Sequence, residues 1–208
     1  RKVKPHVHVA TLHSLGLKAL QRHWSQVGRL TADAQREREI LQKALPRIVY
    51  ENPEIRGDVQ ELVRKAKAFV VDSDKDLEDL MVRYDVYPTT NAEENVPLYC
   101  RWARNALDIA RTPNPTITFD DMIYVPAYFG LTVGRYNHVF VDEMQDLNVA
   151  QLIIAEHAVR LRDRIVFVGD DRQGIYAFRG ADTNTIPKIK ERFKPKLLKL
   201  TTTYRCPK

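Results

Sequence analysis

Apolar positions along this chain follow two different rhythms. Four short runs are nearly continuous in β-branched and aromatic character: Val7–Thr11, His138–Val141, Ile165–Val168 and Leu197–Thr201. Brief apolar runs without alternation are expected of strands covered on both faces, as in a parallel sheet. Elsewhere apolar residues recur every three or four positions, over Ala34–Leu45, Val59–Val71, Leu77–Tyr84 and Leu98–Ile109, which predicts amphipathic helices. No convincing strand is visible between about Leu15 and Arg111. Asn52-Pro53, Tyr87-Pro88 and Thr112-Pro113-Asn114-Pro115 punctuate that helical stretch. Thr118 and Asp121 have the spacing of a capping box and predict a helix opening at Phe119. Helical spacing returns over Leu147–Leu161, and again from about Asp182 to Phe193 behind a glycine-containing loop.

Strand, helix, strand, helix, strand is α/β organisation. Only the ends of the chain show it, so the pattern predicts an α/β domain interrupted by a helical insertion of about 90 residues. The division this suggests is 1–20, 21–115 and 116–208.

Composition adds bounds rather than detail. The 208 residues are 44% hydrophobic and 29% charged, enough for one core of ordinary size or a core with a satellite. No apolar run nears the roughly 18 residues that cross a bilayer. The basic start Arg1-Lys2-Val3-Lys4 has no hydrophobic stretch behind it, so it does not read as a signal peptide. Cys100 and Cys206 are far apart and match no metal spacing, which makes a reduced, cytoplasmic protein the expectation. The net charge of +6 and a pI near 9.3 suit a nucleic-acid partner, and equally a merely soluble basic protein. Lys188-Ile-Lys-Glu-Arg-Phe-Lys-Pro-Lys reads as a solvated helix face rather than a binding patch.

The chemistry concentrates in two stretches. In His138-Val-Phe-Val-Asp142-Glu143-Met-Gln-Asp146 an apolar strand ends on adjacent carboxylates. Ligands of open parallel sheets sit beyond the carboxyl ends of the strands. An Asp there can hold Mg²⁺ against nucleotide phosphates, and Glu143 can take a proton from an attacking water. The same pair also suits the first turn of a helix, where the dipole favours acids. In Ile165-Val-Phe-Val-Gly169-Asp170-Asp171-Arg172-Gln173-Gly174-Ile175-Tyr176-Ala177-Phe178-Arg179, a second strand enters a polar turn that carries Gln173 to the same edge. Tyr176, Phe178 and Arg179 can stack on unpaired bases and pair with phosphates, although aromatic residues in such places also fill cores. Thr11, His13 and Ser14 stand at a junction into a helix, where capping is the simpler role. Tyr204-Arg205 follows the last predicted strand.

The order of these pieces resembles the superfamily 1 DNA helicases of the UvrD/Rep type. Thr-Leu-His-Ser, Val-Asp-Glu-Met-Gln-Asp, Val-Gly-Asp-Asp-Arg-Gln-Gly-Ile-Tyr-Ala-Phe-Arg-Gly-Ala and Thr-Tyr-Arg are similar to that family's motifs Ic, II, III and IV. Thr118-Phe119-Asp120-Asp121-Met122 resembles a segment found ahead of motif II. The likeness covers about 137–206, with a shorter match at 9–20, and the helical middle corresponds in place and length to the family's 1B subdomain. What the resemblance implies is a partial RecA-like P-loop NTPase sheet: motor domain 1A at 1–20 and 116–208, with a 1B-like insertion between. It implies ATP and Mg²⁺ as cofactors, and single-stranded DNA or single-strand/duplex junctions as partners, with movement 3′→5′.

By the same resemblance Asp142 coordinates Mg²⁺ and Glu143, beside the metal, is the catalytic base. Gln173 senses the γ-phosphate and links it to DNA, Arg205 contacts the γ-phosphate, and Thr11, His13, Tyr176, Phe178 and Arg179 face the DNA. Met144, Gly174 and Thr203 depart from the commoner residues of the pattern without removing a charged group, so tuning rather than loss is expected. No G-x-x-x-x-G-K-[ST] sequence is present. The expectation is therefore a fragment without the Walker A loop or the second motor domain, inactive alone. A non-catalytic DNA- or protein-binding module derived from such an enzyme is the alternative.

Overall fold

The computed structural model describes residues 7–86, 88, 92–161, 164–170 and 185–199, with backbone only at 92–94 and 185. Helices dominate: α1 (Leu12–His23), α2 (Gln35–Ala44), α3 (Arg47–Glu51), α4 (Pro53–Phe69), α5 (Asp74–Tyr84), α6 (Ala92–Ala110), α7 (Asp121–Tyr128), α8 (Val149–Ala158) and α9 (Thr185–Phe193). Four short strands accompany them: β1 (Thr31–Ala32), β2 (Thr116–Ile117), β3 (Val139–Val141) and β4 (Ile165–Phe167).

Local chemistry sets the helix starts. The Asn52 side chain accepts the Glu54 and Ile55 N–H groups, and Pro53 takes the first turn, where its missing N–H costs nothing. Asn52-Pro53 thus separates α3 from α4 and opens the latter. Ser73 caps α5 through the Asp76 N–H, and Asn148 and Gln151 form a reciprocal capping box on α8. At α7 the Thr118 hydroxyl accepts the Asp121 N–H at 3.1 Å while the Asp121 carboxylate accepts the Thr118 N–H at 3.0 Å. The box predicted from spacing is present.

The largest core joins Leu20 of α1 and Trp24 just past its end to the inner faces of α2, α4, α5 and α6, and reaches Tyr124 and Val125 of α7. A second cluster lies between α1, α7 and α8, around Leu15, Ala19, Ile123 and Ile154. In it Gly16 touches the α7 backbone, because a Cβ there would run into the Met122 carbonyl. A third cluster packs Val141 of β3 and Leu152 and Ala155 of α8 against Ile189 of α9.

Both strand pairs are parallel. β1 lies on β2 with Thr31 opposite Thr116, and β3 lies on β4 with Val139, Phe140 and Val141 opposite Ile165, Val166 and Phe167. α8 supplies the crossover that a parallel pair requires. The molecule is therefore a mixed helix–strand structure with small parallel sheets, as the α/β expectation has it.

Some expected elements differ. Val7–Thr11 is not a strand: it is an irregular lead into α1, with Val7 and Val9 exposed and no strand beside it among the described residues. An apolar run without a neighbour has nothing to bond its backbone to. Residues 197–199 are likewise irregular, with Leu197 and Leu198 exposed, and the rest of the expected Leu197–Thr201 strand lies outside the described residues. β1 interrupts a region expected to hold no strand. Among the described residues, no helix is long and apolar enough to cross a membrane.

Candidate functional site

β3 and β4 stay bonded past their ends. The Val168 N–H donates to the Val141 carbonyl at 2.8 Å, and the Met144 N–H donates to the Val168 carbonyl at 3.0 Å. This holds the acidic turn of β3 against the segment leaving β4. Asp142 and Glu143 are both exposed there. Asp142 Oδ1 accepts the Glu143 N–H at 3.0 Å. Glu143 has φ 53°, a left-handed backbone that a residue with a side chain seldom adopts. The chain then closes a short 3₁₀ turn over Met144–Asp146. The acid pair consequently precedes no α-helix directly; α8 begins only at Val149, with its own cap.

Gln145 is buried, at 8% exposure. Its Nε2 donates to Glu143 Oε2 at 2.7 Å and its Oε1 accepts the Asp170 N–H at 3.1 Å. Gly169 makes room for it, since a Cβ there would meet Gln145 Oε1, Met144 Cγ and the Met144 nitrogen. Asp146 completes the turn. Burial, and then the Glu143 charge, push its carboxyl above the ordinary carboxylate range, and its buried Oδ1 has no hydrogen-bond partner.

Asp142 and Glu143 are hard oxygen donors. Among the described residues no group of three or more His, Cys, Asp or Glu side chains forms a closed metal cage. An open pair of this kind fits Mg²⁺, which keeps waters and takes phosphate oxygens alongside one or two carboxylates.

Thr11 and His13 form a separate group at the start of α1. Thr11 Oγ1 accepts the Ser14 N–H at 3.2 Å, so Thr11 is the cap that its position suggested. The His13 ring stacks on Phe119, with centroids 4.1 Å apart and planes 26° from parallel. Phe119 is otherwise 60% exposed. Burial lowers the His13 pKa from its ordinary value, and Asp120 opposes that shift. His13 also borders an open cleft lined by Arg64, Lys65, Asn148 and Gln151. Lys67, which also lines the cleft, sets its Nζ 2.7 Å from Asp121 Oδ1, with both side chains buried.

Gln173, Tyr176, Phe178, Arg179 and Arg205 lie outside the described residues. Gln145, Gly169 and Phe119 were not singled out as site residues from the sequence, where their contacts leave no periodic trace.

Comparison with known proteins places the sequence in a family. The model of the UvrD/REP helicase N-terminal domain matches residues 2–194. DNA helicase II of Rickettsia typhi is 38% identical over 72 residues, covering 34% of this chain and 11% of that protein. The ATP-dependent DNA helicase Rep of Escherichia coli is 32% identical over 98 residues, covering 43% of this chain and 15% of Rep. The ATP-dependent DNA helicase PcrA of Bacillus subtilis is 31% identical over 104 residues, covering 46% of this chain and 14% of PcrA. The chain thus spans a small part of the length of these relatives. With the family model covering nearly all of its residues, the chain belongs to the UvrD/Rep helicase family.

Proposed function

We propose that this chain forms part of the ATP-driven motor of a DNA helicase or translocase, acting on single-stranded DNA with 3′→5′ polarity. The observation that carries the reading is the carboxylate pair Asp142–Glu143 at the carboxyl end of a parallel strand, held open to solvent in a turn bonded to the neighbouring strand. We assign 1–20 and 116–208 to a RecA-like motor domain and 21–115 to a helical insertion. The parallel pairing of Thr31 with Thr116 supports this, because it sets a residue near the start of the inserted stretch beside the first residue after it.

Bound Mg·ATP supplies a charge-neutralised γ-phosphoryl group. Asp142 would hold the cation, and Glu143 would accept the proton of the water that attacks the γ-phosphorus as the bond to the bridging oxygen breaks. By the family resemblance, Arg205 and Gln173 would serve the γ-phosphate, and Tyr176, Phe178 and Arg179, with Thr11 and His13, would serve the single strand. In the complete protein, Glu143→Gln retains Mg·ATP binding and slows hydrolysis by roughly 10²- to 10⁴-fold. Steady-state ATPase at saturating single-stranded DNA measures this. A loss smaller than about tenfold removes Glu143 from the chemistry and favours a non-catalytic binding module.

A further inference from the structure

Gln145 has no role in the hydrolysis just described, yet both ends of its amide are engaged. One end grips the proposed base and the other grips the backbone leaving β4. A primary amide is suited to this task because it donates through nitrogen and accepts through oxygen. A carboxylate in its place would face Glu143 with like charge, and a hydrocarbon would answer neither partner. Glu143 itself sits in a left-handed backbone at the edge of a short turn, where no regular element directs its side chain. Gly169 is part of the same arrangement, since its missing Cβ is the space into which Gln145 Oε1 fits.

We propose that Gln145 is a positioning residue that fixes the Glu143 carboxylate and ties it to the Asp170 backbone. The acid turn and residues 168–170 leaving β4 are then held as one unit. This rests on the reading of Glu143 as the base. A poorly aimed base slows the chemical step without weakening nucleotide binding, and displacements of about 1 Å cost up to about 10²-fold in rate.

The test is made in the complete protein, by steady-state ATPase with and without single-stranded DNA. Gln145→Met keeps the length of the side chain and loses both hydrogen bonds. It is expected to lower kcat by about 10- to 100-fold, with KM for ATP within about threefold of wild type. Gln145→Glu keeps the acceptor for Asp170 and loses the donor to Glu143, so it shows the same split even where the Met variant folds poorly. The decisive measurement is the combination with Glu143→Gln. Once the carboxylate is gone there is nothing left to aim, and Gln145→Met then costs less than about threefold further. A full loss in both backgrounds means a structural role and overturns the proposal, as does a loss carried by KM. Wild-type rates in both Gln145 variants, with Glu143→Gln slow, overturn it while leaving the base intact. An unimpaired Glu143→Gln overturns the base reading, and this proposal with it.

Discussion

Two glycines inside helices separate propensity from packing. Replacing a helical Gly by Ala gains up to about 1 kcal/mol from the restricted unfolded chain. Gly57 of α4 is exposed and a Cβ there meets nothing, so Gly57→Ala should raise stability by about 0.5–1 kcal/mol. Gly16 of α1 is buried against the Met122 carbonyl of α7. There the added carbon forces two backbones apart, and Gly16→Ala should lower stability by about 1–3 kcal/mol despite its better propensity. Urea denaturation of the two variants checks the opposite signs. His13 gives a pH-dependent counterpart. Burial lowers its pKa in the folded chain, with Asp120 opposing, so the unfolded chain takes up the proton first. Stability then falls as pH drops through the unfolded value near 6.5, and the loss levels off below the folded value. Comparing melting temperatures from about pH 8 to about pH 5, the advantage of wild type over His13→Gln should narrow on the acid side. An advantage that widens there contradicts the burial argument. At this scale the sequence was only half legible. Asp142 and Glu143 stand out because carboxylates closing an apolar strand are unusual, whereas Gln145 matters through a contact with Asp170, and nothing in local spacing marks a polar residue as buried.

Elements were legible where burial has a regular period. α2, α4, α5 and α6 each bury one face in the common core, so their apolar residues recur at helical intervals. β3 and β4 show as unbroken apolar runs and do pair with each other, but Phe140 and Val166 stand exposed among the described residues, where cover on both faces was expected. Val7–Thr11 has the same local character and no strand neighbour, and pairing is not encoded in the run itself. α3 spans five residues and β1 and β2 two each, too short to establish any period. The contact between α4 and α7 was equally hidden, since it joins residues far apart in the chain: Lys67 to Asp121, with Thr118 alongside. Removing one member of a buried pair strands the other charge, so Lys67→Met should cost about 3–5 kcal/mol. Lys67→Met with Asp121→Asn should cost less than Lys67→Met alone, because the introduced amide carries no charge and keeps an oxygen for the Thr118 N–H. Chemical denaturation of both variants decides this. Equal losses would mean that the stranded Asp121 charge is not the source of the Lys67→Met cost.

For the whole molecule, the balance between nucleotide and nucleic acid follows from what the 208 residues contain. Phosphoryl transfer relies on positioning and charge neutralisation, and in P-loop nucleotide hydrolases most contacts to β- and γ-phosphates come from a glycine-rich loop with its lysine and hydroxyl. No G-x-x-x-x-G-K-[ST] sequence occurs here. Asp142 and Glu143 can hold a hydrated cation, but two carboxylates repel a triphosphate unless other groups bring it in. The 208-residue chain by itself should therefore show no micromolar affinity for Mg·ATP and no hydrolysis. Single-stranded DNA is a different case, since a net charge of +6 attracts phosphates without any built pocket. Weak binding should survive, and its affinity should fall steeply as salt rises, with a slope that counts the phosphates neutralised. Calorimetric titration with Mg·ATP, and fluorescence anisotropy of a labelled strand at several salt concentrations, measure the two separately. Micromolar ATP binding by this chain would move the nucleotide site away from the end of β3. DNA binding indifferent to salt would mean that aromatic stacking, rather than net charge, holds the strand.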